Sequence, residues 1–186
     1  MAWRSALATL LLDLDVEVVN GALRLAGGEL SDAISIGRLH SLLGAPSRIV
    51  EPAQRAPAGH RNNQIHIYDA LGIICHEHHY TRLVEGIAFV FWPDEAPAFA
   101  PAAAFAGRLT VFGLPLEAGM TGAALSALPC SFEPGIGGSL SYEDDKISVI
   151  IDTKGKKLPS GRRSKSRQVV SVAVGLAHDP WQKPSP

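Results

Sequence analysis

Hydrophobic and polar residues alternate with a period of two near the start of the chain. Val16 and Val18 are separated by the acidic Glu17, and an Asn20-Gly21 pair stands before Ala22-Leu23-Arg24-Leu25. An Asn-Gly pair between two alternating runs is a strong local signal for a two-residue hairpin turn. The pattern therefore predicts a β-hairpin over residues 16 to 25.

The next segment changes to a helical period. Ser31 and Asp32 precede an apolar stripe, and Gly44 and Pro46 follow it. The members of the stripe are Ile34, Ile36, Leu39, Leu42 and Leu43. Capping residues before such a stripe and Gly and Pro after it are typical of the two ends of a helix. We expect a short helix here, with its apolar side packed on a sheet.

A second hairpin and a central strand follow. Residues 65–68 and 73–77 are strand-like, and Gly72 between them can take the positive φ that a tight turn requires. Residues 49–63, rich in Pro, Gly, Arg and Asn, are typical of an exposed loop. Residues 84–92 form the most apolar run of the chain, which predicts a strand in the middle of a sheet.

The second half of the chain repeats this order. Residues 109 onward predict a strand, 123–128 a helix that Pro129 stops, and 139–142 and 147–152 two paired strands. Residues 68–75 align without a gap with 142–149, and 84–91 with 169–176. Upstream, 19–23 match 111–115, and the helical 39–42 match 125–128. Self-similarity of this kind predicts a duplicated structural unit.

The predicted fold class is therefore α+β, with two tandem repeats, each an antiparallel sheet with a short helix packed on one face. We expect a first repeat over residues 1–92, a Pro- and Ala-rich linker over 93–107, a second repeat over 108–178 and a flexible tail over 179–186. The two repeats are expected to pack into one body, because 186 residues with 46% hydrophobic side chains can bury a sizeable core.

Composition adds an expectation about the compartment. The two cysteines, Cys75 and Cys130, could form one bridge at most, and Cys75 lies in an apolar strand pattern typical of a buried free thiol. No apolar run approaches the roughly 18 to 20 residues of a membrane span, and the N-terminal residues do not resemble a signal peptide. We expect a cytoplasmic protein.

The charges are unevenly distributed. Residues 154–167 contain seven of the 17 basic residues and no acidic residue: Lys154, Lys156, Lys157, Arg162, Arg163, Lys165 and Arg167. The rest of the chain carries ten basic and 18 acidic residues, a net charge of −8. A solvated loop, a contact to an acidic protein partner and a nucleic-acid contact are all compatible with this segment. Nucleic acid is the least favoured, because the segment has no aromatic residue for base stacking and the body is acidic.

The run Cys75-His76-Glu77-His78-His79, with His66 on the facing strand, contains residue types that bind zinc. On an extended strand, however, His76 and His78 would share one face while Cys75, Glu77 and His79 would share the other. We predict no metal and no cofactor; His66, His76 and His78 are the residues that a metal would use. Histidines on an exposed strand end are the simpler interpretation.

Other chemistry-bearing patterns favour structural roles. Glu143-Asp144-Asp145 lies in a predicted turn, where Asp serves local hydrogen bonding. Gly135-Ile136-Gly137-Gly138 lacks the spacing of a phosphate-binding loop, and no Gly-x-Ser-x-Gly elbow occurs. The pattern predicts a protein that is not an enzyme.

Three segments carry a resemblance to a known family. They are Leu42-Leu43-Gly44-Ala45-Pro46-Ser47-Arg48, the hairpin Tyr68-Asp69-Ala70-Leu71-Gly72-Ile73 and the strand ending at Trp92. Together they resemble a family of uncharacterised bacterial immunity-type proteins from polymorphic-toxin and secretion-system loci, type VI secretion among them. The Leu-Gly-x-Pro helix end and the tyrosine-bearing hairpin are also similar to the small α+β repeat modules of beta-lactamase inhibitor proteins and of some outer-membrane assembly lipoproteins. The resemblance covers roughly residues 16 to 120.

This resemblance implies a non-enzymatic immunity protein that binds and neutralises a cognate toxin effector. The alternatives are a protein-binding adaptor or secretion chaperone module and, less favoured, a metal-dependent enzyme that uses the histidines. The predicted partner-binding residues are Tyr80, Arg82, Lys156, Lys157, Arg162 and Arg163, because they occupy equivalent loops that we expect at one edge of the two sheets. Aromatic and arginine anchors often dominate such interfaces. No membrane contact is expected, and a structural role is the alternative for Tyr80.

Overall fold

A computed structural model describes residues 14–19, 21–30, 34–51, 63–78, 81–92, 99–129, 132–157, 160 and 163–176, and at 136, 156, 157, 163 and 164 the backbone alone. Its first half contains one α-helix, α1 (Ile36–Leu43), and seven strands: β1 (Asp15–Val19), β2 (Ala22–Leu25), β3 (Gly28–Leu30), β4 (Arg48–Val50), β5 (Gln64–Tyr68), β6 (Ile73–Glu77) and β7 (Val84–Val90). Its second half contains β8 (Arg108–Val111), β9 (Leu114–Leu116), β10 (Glu133–Pro134), β11 (Leu140–Glu143), β12 (Ile147–Lys157) and β13 (Arg163–Leu176). The protein is α+β and mostly β.

The hairpins predicted from the hydrophobic pattern are present. Val19 pairs with Ala22, so two residues separate the paired ends of the strands, and Gly21, the one of them that the structure describes, has φ +71°. The same arrangement recurs where Val111 pairs with Leu114, with φ +46° at Phe112 and +84° at Gly113. Positive φ at both central residues matches the right-handed twist of the strands. Gly72 has φ +69° in the β5–β6 turn, as expected.

The strands form two sheets, and each sheet takes strands from both halves of the chain. The eight-stranded sheet has the order β10-β11-β12-β13-β7-β6-β5-β4, and the five-stranded sheet has the order β3-β2-β1-β8-β9. The prediction of a separate antiparallel sheet for each repeat is wrong. Strand β7, the most apolar run, pairs with β13 in the centre of the large sheet, which confirms its central position. In the small sheet β1 and β8 pair in parallel.

Strand order in both sheets is mirrored about the junction of the two halves. In the large sheet the central pair β13–β7 has Ala173 opposite Ala88, with Gly175 opposite Gly86 on one side and Ser171 opposite Val90 on the other. In the gapless alignment of 84–91 with 169–176, Ala88 corresponds to Ala173. Corresponding residues therefore meet at the centre of the sheet.

The first helix ends where the sequence predicted, but it begins later in the chain. Helix α1 begins after Ser35, whose side chain accepts a hydrogen bond from the Arg38 N–H, and ends at Gly44 with φ +83°. The predicted caps Ser31 and Asp32 lie outside the described residues. The predicted second helix over 123–128 is a single 3-10 turn, Ala124–Ala127, without a side-chain cap. A segment this short between Gly122 and Pro129 cannot complete two α-helical turns.

One hydrophobic core lies between the sheets. It joins the small sheet (Val18, Leu23, Leu25, Leu109 and Val111), the helix (Ile36 and Leu39) and the inner face of the large sheet (Ile73, Ile87, Phe89, Val149, Val172 and Val174). Asp144 ties the two sheets at their turns, since its carboxylate accepts the Gly21 N–H and the Tyr142 hydroxyl. Burial raises the pKa of Asp144, but hydrogen bonds from Ile147, Lys146, Tyr142 and Gly21 outweigh it and lower the pKa overall. The acidic turn thus has the structural role that the sequence predicted.

The predicted linker is only partly described. Residues 93–98 lie outside the described residues, as does the predicted tail. Phe105 packs edge-to-face on Phe89 and Phe91, and the Asp69 carboxylate accepts the Ala102 N–H and the Arg48 guanidinium. Residues 99–107 are therefore held on the body. No helix in the described part of the chain is long and apolar enough to cross a membrane.

Candidate functional site

The large sheet has a second face, which points away from the core and which we call the outer face. A row of paired residues crosses its four central strands: Ile150, Ala173, Ala88 and Ile74. The neighbouring row consists of Ser148, Gly175, Gly86 and His76. The two middle positions of each row are alanine or glycine, and Ile150 is 44% exposed. These rows are largely apolar and contain many partly exposed positions.

A hollow lies at one end of the outer face. It has a volume of about 190 Å³ and is lined by Ile74, Val90, Trp92, Phe99, Ala100, Lys154, Val170 and Ser171. Trp92 is 37% exposed and Phe99 41% exposed, so two aromatic side chains form part of its wall. Lys154 places one cationic side chain at an otherwise mainly apolar site.

A second hollow, of about 280 Å³, lies beside the 3-10 turn. Its lining consists of Gly122, Leu125, Ser126, Leu128, Pro129, Phe132 and Leu140, none of which is charged. Residues 130 and 131, which lie between Pro129 and Phe132 in the sequence, are outside the described residues.

The basic segment forms strands. Strands β12 and β13 continue past the residues that pair with β11 and β7, so residues 153–157 and 163–168 form a two-stranded extension of the sheet, which we call the basic ribbon. The solvated-loop interpretation is therefore wrong for these residues. Backbone pairing sets Lys157 opposite Arg163. Like charges directly opposite each other destabilise a strand pair unless an anion compensates them.

The base of the ribbon is fixed by Arg167. Its guanidinium donates to the Thr153 hydroxyl and to the carbonyls of Thr153 and Gly137. The Gly122 N–H donates to the Arg167 carbonyl, and the Val169 N–H to that of Met120. The Arg167 cation is therefore structural, whereas Lys165 is exposed.

The predicted partner-binding residues do not share one edge. Arg82 precedes β7, and Lys156, Lys157 and Arg163 lie in the ribbon next to the start of β13. Because β7 and β13 are antiparallel neighbours, the segments that precede them lie at opposite ends of the sheet. The expectation of one common edge is wrong. Tyr80 and Arg162 are outside the described residues.

Arg82 forms an ion pair with a buried carboxylate. Its guanidinium forms an ion pair with the carboxylate of Glu77, whose side chain is 1% exposed, although the Arg82 side chain itself is 49% exposed. The backbone at Arg82 has φ +60°, a conformation that costs energy for a residue with a side chain. This places Arg82 at the outer end of a buried polar chain.

Two histidines, His66 and His40, continue these polar contacts from Glu77. His66 Nε2 lies 2.5 Å from Glu77 Oε2, and His66 Nδ1 lies 3.3 Å from Nε2 of His40 on helix α1. His66 and Glu77 are buried and His40 is half-buried. The contacts Arg82–Glu77–His66–His40 form one polar network, and the His66–His40 contact ties helix α1 to the sheet. The sequence analysis missed His40, because a polar pair between a helix and a distant strand leaves no periodic signal.

The metal candidates are separated. His66 faces the core and pairs with Cys75, His76 lies on the outer face, and His78 hydrogen-bonds Thr81 at 3.1 Å. Glu85, the extra residue of a β-bulge opposite His76 and Glu77, lies 4.0 Å from His78. Among the described residues no group of three or more His, Cys, Asp or Glu side chains is placed to hold a metal ion.

Two further buried groups, the Cys75 thiol and the Tyr68 hydroxyl, stay protonated. Cys75 is a buried free thiol, as predicted, and burial, together with the charge of Glu77, raises its pKa. Burial also raises the pKa of Tyr68, whose buried hydroxyl has no hydrogen-bond partner among the described residues. Both side chains stay neutral at physiological pH, which suits core packing.

The model of one protein family, described as a domain of unknown function (DUF7738), matches residues 15–125. The matched range extends from β1 into the 3-10 turn and covers more than half of the chain. Comparison with curated proteins gave no match, and neither did comparison with solved structures.

Proposed function

We propose that this chain, which belongs to the DUF7738 family, is a non-enzymatic immunity protein that binds and neutralises a cognate bacterial toxin effector. The observation that carries the proposal is the outer face of the eight-stranded sheet. It is broad, has alanine and glycine at its centre, and presents the exposed residues Ile150, Trp92 and Phe99. Clustered exposed apolar side chains on a rigid sheet are typical of protein-binding surfaces.

The geometry of the outer face supports binding of a rigid macromolecule. Ala88, Ala173, Gly86 and Gly175 occupy its centre, so a partner can approach the backbone closely there. The strands are fixed by pairing on both sides, and the opposite face is packed in the core. A preorganised surface loses little entropy on binding, which favours a tight stoichiometric complex.

The charge distribution supports the same role. The basic ribbon stands at one end of the large sheet, and the residues outside 154–167 carry a net charge of −8. A field of this polarity orients an approaching partner and raises the association rate, and inhibitors of toxins benefit from fast association.

The tandem repeat belongs to this proposal as well. We infer that the chain arose by duplication of a unit of strands and one helical turn, the helix having shortened to a 3-10 turn in the second unit. The mirrored strand order in both sheets and the meeting of Ala88 with Ala173 support it. Pairing two such units edge to edge builds a surface twice as wide as one unit offers.

The test is complex formation with the effector encoded next to this chain. Titration calorimetry of the purified pair is expected to give one-to-one binding, and the complex is expected to abolish toxicity on co-expression. Ile150→Glu on the outer face is expected to weaken binding about tenfold or more. Ile49→Glu is the matched control, because Ile49 is 51% exposed on the edge strand β4 and its register partner His66 faces the core. Equal effects of both variants, or no complex, would refute the proposal.

A further inference from the structure

The hollow and the ribbon form one continuous surface. Val170 is the extra residue where the β12–β13 register shifts, between the pairs Asp152–Ser171 and Thr153–Val169. It lines the hollow together with Lys154, the first cation of the ribbon. An apolar recess with an aromatic wall therefore borders a strip of positive charge.

The size of the hollow limits what it can hold. Sites for cofactors and drug-sized ligands measure about 300 to 1,000 Å³, whereas an apolar cavity of about 150 Å³ accommodates one benzene ring. At about 190 Å³, the hollow has room for a single large apolar side chain. Trp92, Phe99, Val90 and Ile74 supply apolar contacts for it.

The charges around the hollow limit what flanks that side chain. Six of the seven cationic residues of 154–167 lie on the two adjacent strands of the ribbon, and one of them, Arg167, is held by the protein itself. Carboxylates of a partner would compensate the like charges of the paired positions Lys157 and Arg163. The exposed carboxylate of Asp152, which pairs with Ser171 at the hollow, opposes a polyanion running across it. The cations of the ribbon and the carboxylate of Asp152 together favour a protein partner with a few separate carboxylates over a nucleic-acid strand, which carries a charge at every nucleotide.

We propose that the hollow takes an anchor side chain, phenylalanine or leucine, from the bound protein, and that acidic residues flanking this anchor lie along the basic ribbon. This inference rests on the proposed function and specifies the binding motif of the toxin. Buried aromatic or aliphatic anchors in a recess, rimmed by charge, carry most of the binding energy at many interfaces.

The experiment uses a fluorescein-labelled synthetic peptide of 11 residues, with one central Phe and Asp or Glu at the neighbouring positions. Fluorescence polarisation is expected to show binding to the full chain. Replacing Phe by Ala in the peptide, or its acids by Lys, is expected to weaken binding about tenfold or more.

Protein variants locate the site. Trp92→Ala removes part of the wall and Lys154→Glu reverses the rim charge; each is expected to weaken peptide binding by a similar factor. Lys146→Glu is the matched control, because Lys146 is exposed in the β11–β12 turn, away from the hollow. Thermal melts check that each variant is folded.

Two outcomes would overturn the inference. One is equal peptide binding by Trp92→Ala and Lys146→Glu, or no peptide binding at all, while the toxin complex forms normally; that result leaves the proposed function standing. The other is binding of a 20-nucleotide single-stranded DNA with a steep salt dependence and no discrimination between the peptides, which would identify a nucleic-acid surface.

Discussion

At the scale of single residues, the chain Arg82–Glu77–His66–His40 shows how a buried charge is accommodated. A lone buried carboxylate is costly, and Glu77 is compensated by the Arg82 guanidinium on one oxygen and by His66 on the other. The positive φ at Arg82 is the local cost of that contact. Arg82 is therefore better explained by stability than by the partner contact that its sequence position predicted.

His40 gives the chain a pH dependence with a definite sign. Burial lowers the pKa of His40, the charge of His66 lowers it further, and Glu77 partly opposes both. The unfolded chain, with a histidine pKa of about 6.5, binds the proton first as the pH falls. The contribution of His40 to stability is thus complete above about pH 6.5 and decreases below it.

We expect the urea midpoint of the protein to fall between about pH 7 and pH 5, and to fall less in His40→Gln, which keeps a donor for His66 Nδ1. Burial also lowers the pKa of His76, so the variant with both His40→Gln and His76→Gln is expected to show the smallest decrease. Urea unfolding followed by circular dichroism at each pH measures the effect. An unchanged pH slope in the double variant would contradict this assignment.

At the scale of elements, turns were predicted best, because their chemistry is local. The Asn20-Gly21 turn and the Gly72 turn follow from residues that tolerate positive φ. Strand β3 and the start of α1 at Ser35 were missed, since three-residue strands and competing caps have weak signals. The extension of the basic segment into strands was missed as well. Lysine and arginine favour neither strand nor loop strongly, and pairing with the preceding apolar strand decides the outcome.

Gly72 provides a test of the turn. A Cβ at this position would collide with the backbone of Ala104 and Phe105, in addition to the strain of φ +69°. Gly72→Ala is expected to lower the free energy of unfolding by more than about 2 kcal/mol. Gly113→Ala is the control: it has φ +84° but nothing within 4 Å of the added Cβ, so only the backbone cost of about 1 kcal/mol applies. Urea unfolding of both variants compares them, and equal losses would contradict the close approach of residues 104–105.

At the scale of the whole molecule, the internal similarity predicted that the halves are alike but not how they combine. The alternation within a strand fixes which residues face the core, yet it does not state which strand lies beside which. Strands β7 and β13 pair because each is apolar enough to occupy the middle of a sheet, and this merges the two expected sheets into one. The tyrosine hairpins also differ in register: Tyr68 pairs with Ile73, whereas Tyr142 pairs with Val149 and not with Ile147, the residue that the gapless alignment matches to Ile73.

Because the two expected sheets are merged, the basic ribbon lies at one end of a long sheet. We expect its charge to attract the partner before contact is made. Reversal of four positions of the basic segment 154–167, Lys156, Lys157, Arg162 and Arg163, to Glu is expected to slow association with the toxin about tenfold or more at low salt and to change dissociation much less. The unfolding midpoint is expected to change little, because the paired positions 157 and 163 carry like charges before and after the reversal. Stopped-flow association at increasing ionic strength measures the effect, and the difference between the proteins is expected to shrink as salt screens the field. An association rate that is the same for both proteins at low salt would show that the ribbon does not orient the partner, whatever the affinity of the complex.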